Sequence, residues 1–175
     1  ASLVGSEMCI RDRYLNNLFK IVYEACENGK YYKFDENYDL VDSDVTTAEE
    51  AVSNVMDIDS VRDMYILYEI VHDYDCGEGS FYMCVDFSKD SKCPKLKFTS
   101  PWDFNWAYND STEKYYAGAF TDKNFVAKNG DRSNPWFIIL CKQDWFMDAV
   151  KEKWTEMSRE KLLQGCIKTE REYLK

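Results

Sequence analysis

Ser100-Pro101-Trp102-Asp103-Phe104-Asn105-Trp106-Ala107-Tyr108 follows two short runs that read as paired strands, and its reading decides the fold. Ser80 to Phe87 is rich in aromatic and β-branched residues, as a strand requires. A polar loop from Ser88 to Pro94 leads to a second strand at Lys95–Thr99. Pro101 cannot donate to a ladder, so pairing stops there and Trp102 to Trp106 is presented beyond the hairpin. Upstream, Ser60 to Val71 reads as a helix. Val61, Met64, Tyr65, Leu67, Tyr68 and Val71 cover more than one of its faces, which predicts a central, buried position. That helix breaks near Asp73, because Cys76-Gly77-Glu78-Gly79 is turn chemistry. Two acidic positions therefore stand out: Asp75 after a helix, and Asp103 after a hairpin.

The remaining segments read mainly as helix. Leu15, Leu18, Phe19, Val22, Ala25 and Cys26 recur at spacings of three and four, predicting a helix over 14–28 that stops at Gly29. Tyr31 to Ser43 mixes aromatic and acidic residues without a period and reads as an irregular connection. Thr46-x-x-Glu49 and Thr47-x-x-Glu50 each fit a capping box, so a short helix runs to about Met56. Asp57 or Asp59 caps the helix after it. Asn109 to Pro135 reads as an irregular polar loop, and 136–141 is a short apolar run. Residues 144–157 form an amphipathic helix burying Trp145, Phe146, Ala149, Val150, Trp154 and Met157, and a charged helix closes the chain from 158 to 175. The fold class is α+β, mainly helical, with one hairpin.

Composition narrows the function. A net charge of −10 disfavours a nucleic-acid partner, whose phosphates need cationic groups. No apolar run approaches the ~20 residues of a membrane span. A single histidine, His72, gives weak support to a His-based metal cluster or a Ser-His-Asp triad; it reads as a residue that orients its loop. Ser2 to Asp12 resembles a translated sequencing adapter. Residues 1–13 are therefore read as non-native and 14–175 as a partial domain, with the true reading frame opening upstream. Setting Cys9 aside leaves Cys26, Cys76, Cys84, Cys93, Cys141 and Cys166. None is in a Cys-x-x-Cys pair, so they read as thiols rather than zinc ligands.

Phosphoryl-transfer enzymes of the protein-kinase kind carry two essential aspartates in the order found here. The first handles the proton of the nucleophile, and the second holds the metal on the nucleotide phosphates. Ser80, five residues after Asp75, falls at the offset of a kinase's second-metal asparagine and is a candidate cofactor-binding residue. By residue type alone these positions keep other readings. Asp73 and Asp75 both suit a turn, and Asp103 could satisfy backbone amides. Trp102, Phe104 and Trp106 read as packing residues.

Ser80-Phe81-Tyr82-Met83, the hairpin, Leu96 to Trp106, Asn134-Pro135-Trp136 and Trp154 resemble the CotH (spore-coat protein H) kinase family over roughly residues 14–160. The resemblance implies an atypical protein-kinase-like fold whose hairpin carries the metal-site aspartate. It implies Asp75 as the catalytic aspartate and Asp103 as the Mg²⁺ ligand. Asn105 stands where the family often has a second aspartate, and its amide oxygen is the candidate second metal contact. ATP and Mg²⁺ are the implied cofactors, a protein is the implied substrate, and export to the cell surface or beyond is the implied location. No G-x-G-x-x-G phosphate loop occurs. The chain thus reads as a C-terminal lobe with little activity alone, its full-length form transferring the ATP γ-phosphate to Ser or Thr. A kinase-like surface scaffold without turnover is the rival reading. A metal-dependent hydrolase is a third, with no signature behind it.

Overall fold

The computed structural model describes residues 2–71, 76, 79–91, 93–106, 134–159 and 161–174, with the side chains of all but residues 2–10, 106, 159 and 163. Asp75, His72, Asp73 and most of the predicted 109–135 loop lie outside the described residues. Helices dominate, and two small antiparallel hairpins complete an α+β architecture.

Helix α1 runs from Ser2 to Asn28, a longer span than the 14–28 predicted. Its buried stripe is Tyr14, Leu18, Ile21, Val22 and Ala25, so the inward face is turned away from Leu15, which is 40% exposed. Gly29 ends the helix at φ 63°, a conformation that only glycine adopts without strain. Next comes a hairpin where an irregular connection was expected. Strand β1 (Tyr32–Phe34) pairs with β2 (Leu40–Asp42), Lys33 opposite Val41. The turn is built by Asp35, whose Oδ1 accepts from the backbone N–H groups of Asn37 and Asp39, both at 2.8 Å. This aspartate substitutes for turn glycines and leaves little trace in hydropathy. Phe34, Tyr38 and Phe87 close around the ring of Tyr14.

Helix α2 (Ala48–Val55) begins at Thr47, whose Oγ1 accepts from Glu50 N at 3.2 Å. The Glu50 carboxylate returns to Thr46 N at 3.2 Å, so the predicted Thr47–Glu50 box forms with its return bond one residue early. Helix α3 (Ile58–Val71) is capped by Asp57 rather than Asp59: Asp57 Oδ1 accepts from Ser60 N at 3.1 Å. Val61, Met64, Tyr65 and Tyr68 are buried as the pattern predicted; Ile66 is buried too, while Leu67 and Val71 are half-buried.

Strand β3 (Tyr82–Cys84) pairs with β4 (Lys97–Thr99) in the register Tyr82–Thr99, Met83–Phe98, Cys84–Lys97. Both strands are shorter than predicted. β4 is fastened to the α2–α3 junction by backbone bonds from Asp57 N to Leu96 O and from Leu96 N to Val55 O, each 2.9 Å. Ser60 Oγ takes the Phe98 N–H at 3.2 Å and donates its own proton to Asp57 O at 2.8 Å. Asp57 Oδ2 meets Lys97 Nζ at 3.6 Å.

The apolar run predicted at 136–141 falls in helix α4 (Pro135–Leu140), with Pro135 in its first turn. Helix α5 (Asp144–Arg159) buries Phe146 and Val150, but Trp154, expected inside, is 44% exposed. Lys161 takes a left-handed conformation, φ 56°, and separates α5 from α6 (Leu162–Tyr173). No helix among the described residues is long and apolar enough to cross a membrane.

Candidate active site

The site is built on an aromatic floor. Phe81, entering β3, stands edge-on to Phe98 on β4 at 4.8 Å and to Phe137 on α4 at 5.9 Å. Tyr68 on α3 lies 6.0 Å from Phe81 and 6.0 Å from Phe104. Offset and edge-to-face rings fix mutual orientation as well as burying area. This cluster joins α3, the hairpin and α4 at the place where the chain leaves α3 toward residues 72–75 and leaves β4 toward Asp103.

Asp103 follows β4 by way of Ser100, Pro101 and Trp102. Ser100 (φ 55°) and Asp103 (φ 62°) both occupy the left-handed region, so the backbone turns sharply twice within four residues. A non-glycine residue there costs energy and persists only when its surroundings hold it. Two contacts do so here. Phe104 anchors the following 3-10 turn (Phe104–Trp106) against Tyr68. Asn105, with its amide nitrogen turned toward Asp103, donates to Asp103 O and to Asp103 Oδ1, each at 3.0 Å. That amide orientation follows from the hydrogen-bond network, since the opposite one faces acceptor to acceptor.

Asp103 is exposed, and beyond the bond from Asn105 to Oδ1 its carboxylate has no partner among the described residues. One open carboxylate oxygen suits Mg²⁺, which takes one or two protein carboxylates and fills its remaining positions with water and phosphate oxygens. Among the described residues no three His, Cys, Asp or Glu side chains gather into a metal cage. Asn105 turns its amide nitrogen, a donor, toward Asp103 and so orients that carboxylate. Trp102, expected to pack, is 61% exposed beside Asp103.

The other arm is reached through Cys76. Cys76 is buried, and its carbonyl accepts from Asn134 Nδ2 at 3.0 Å. Asn134 is 1% exposed. Its Oδ1 accepts from Trp136 N at 3.1 Å and Phe137 N at 3.3 Å, which caps α4. Ser80, at φ 48°, lies with Cys76 and Asn134 on the wall of a cleft of about 340 Å³. A wider groove of about 580 Å³ between α1 and β3 is lined mainly by apolar groups such as Leu15, Met83 and Phe87, and brings no carboxylate.

Glu69 on α3 has a buried Oε1 without a hydrogen-bond partner among the described residues. Burial pushes its carboxyl up to about 8. Burial also raises the thiol of Cys141, to about 12, and the hydroxyl of Tyr65, which bonds to that sulfur.

The family model described as CotH kinase protein matches residues 22–173. The chain belongs to the CotH kinase family. No curated protein and no solved structure is matched. Membership makes this CotH-family domain kinase-like and agrees with the resemblance drawn from Ser80–Met83 and Leu96–Trp106. The structure brings Asp103 and Asn105 into direct contact and sets Ser80 beside Cys76. Asp75 lies outside the described residues. Sequence reading assigned no role to Asn134, although Asn followed by Pro and an apolar run is a helix-start signal. It also missed Ser60, whose bond to β4 has no sequence signature.

Proposed function

We propose that this CotH-family domain supplies the proton-handling and metal-holding aspartates of an ATP-dependent protein kinase that phosphorylates Ser or Thr hydroxyls. One observation supports the proposal: the exposed Asp103 is held in a strained turn with its Oδ1 bonded by Asn105, after a hairpin fastened to the start of the helix that precedes Asp75 in sequence. In this reading Asp103 holds Mg²⁺, and Asn105 fixes the carboxylate that does so. Bound Mg²⁺ would neutralise charge on the nucleotide phosphates. Asp75 accepts the proton of the attacking hydroxyl, and Ser80 offers a further oxygen near it.

A second reading is a kinase-like scaffold without turnover. It is favoured by Asn105 alone, which contributes a donor where a second metal-binding oxygen was expected. Incubating the full-length protein with γ-labelled ATP, Mg²⁺ and protein acceptors decides between the two. Label transfer abolished in both Asp75→Ala and Asp103→Ala supports the kinase. Wild-type protein that neither labels an acceptor nor binds Mg²⁺-ATP supports the scaffold.

A further inference from the structure

We infer that Asn134 is a positioning residue that ties the chain at Cys76, next in sequence to Asp75, to the helical body of the domain; the catalytic consequence rests on the kinase reading above. Asn134 is the one buried polar residue among the described side chains, and each end of its amide has a separate task. Oδ1 receives two backbone N–H groups and starts α4. Nδ2 reaches across 58 positions of sequence to the carbonyl of Cys76. Cys76 is the covalent neighbour of Asp75, so this bond fixes a backbone point one residue from the proposed proton acceptor. Helix α4 itself is anchored through Trp136, edge-on to Phe19 of α1 at 5.0 Å, and through Phe137 in the aromatic floor. Asn134 therefore references Cys76 to the same aromatic floor on which Phe104, the residue after Asp103, is seated.

A cap alone does not require asparagine, because serine and aspartate serve equally well at a helix start. Only a side chain that accepts at one end and donates at the other joins α4 to Cys76. Asn134→Asp keeps size and cap but turns a carboxylate oxygen on the Cys76 carbonyl, which repels it. Asn134→Ser keeps a neutral capping oxygen on a side chain too short to bridge.

Hydrogen exchange on the chain provides a readout independent of turnover. In both variants, amides of Phe137 to Leu140 should keep wild-type protection, while peptides spanning residues 72–80 should exchange at least about tenfold faster. Unchanged exchange of 72–80 in the folded variants overturns the assignment, as does a wild-type segment already exchanging at the unprotected rate. If one variant fails to fold, the other decides. In the full-length enzyme, kcat should fall roughly 10- to 100-fold with KM for ATP held, the signature of a displaced proton acceptor. Equal loss in kcat and in ATP affinity would instead mark general damage. Absence of wild-type phosphotransfer would defeat the kinase reading and leave the exchange result standing by itself.

Discussion

The ring of Phe104 stands edge-on to that of Tyr68, 6.0 Å between centroids with planes 68° apart, so the residue after Asp103 is seated on the helix that leads to Asp75. A local aromatic contact thus couples two arms of chain widely separated in sequence. Phe104→Ala should remove that seat. A half-buried ring of this kind is worth roughly 2 kcal/mol, less than a fully buried one. Thermal and urea unfolding should show that loss, and full-length phosphotransfer should fall further than the loss of folded protein explains. Activity that tracks only the folded fraction would show that the ring does not position Asp103.

Asp103 should be a site where function opposes stability. Its φ of 62° suits glycine better than aspartate. Asp103→Gly should therefore leave the fold unharmed or stabilise it by about 0.5–1 kcal/mol, while Mg²⁺-dependent activity disappears. Asp103→Asn, which tolerates the same backbone region, should lie between. A clear drop in melting temperature for Asp103→Gly would mean that the bond from Asn105 to the carboxylate outweighs the backbone term.

Glu69 predicts a pH dependence with a definite sign. Its folded value of about 8 lies above the ordinary 4.5, because burial disfavours the anion. Between those values the folded chain binds a proton that the unfolded chain releases. The stability contributed by the neutral acid is complete below 4.5, declines as pH rises through that window, and is gone above 8. Glu69→Gln should flatten this slope and stabilise the protein at pH 9 by roughly 1–3 kcal/mol. Urea unfolding at pH 5, 7 and 9 checks it; parallel curves for wild type and variant would show that Glu69 reaches water.

The α2–α3 junction should behave as one unit. Asp57→Ala removes the α3 cap and the partner of Lys97, at a cost of about 1–2 kcal/mol. Ser60→Ala leaves the Phe98 N–H without its acceptor, at a cost of about 1 kcal/mol. Because the side chains of Asp57 and Ser60 each fasten the other's backbone at one helix start, the double variant should lose less than the two single losses combined. Strict additivity in denaturant titrations would separate cap from strand attachment.

The elements that were legible in the sequence had strong local signals. α3 was visible in the spread of Val61, Met64, Tyr65 and Tyr68, and α2 in Thr47 and Glu50. The β3–β4 hairpin and its exit at Pro101 were visible because proline ends pairing wherever it falls. The β1–β2 hairpin was not, since its turn relies on one Asp35 carboxylate and its strands are only three residues each. Asp103 was found as a candidate by its place after the hairpin. The two-ended task of Asn134 was not, because its amide orientation is settled by a carbonyl brought from 58 positions away. Trp102 and Trp154 were misjudged for a related reason: size predicts burial on average, and the outward turn of one position has no hydropathy signature.

Trp102, 61% exposed and adjacent to Asp103, makes the domain its own optical sensor. Indoles in water emit at longer wavelength than buried ones, so Trp102 contributes the red edge of the emission, with a smaller share from Trp154, while Trp136 emits from the interior. Iodide reaches the outer indoles first. Any molecule that settles over the Asp103 turn should shield Trp102 and shift the spectrum to the blue, and Trp102→Phe should erase that response without touching the carboxylate. Occupancy of the turn can thus be followed in unlabelled protein, before any acceptor for the chemistry is known.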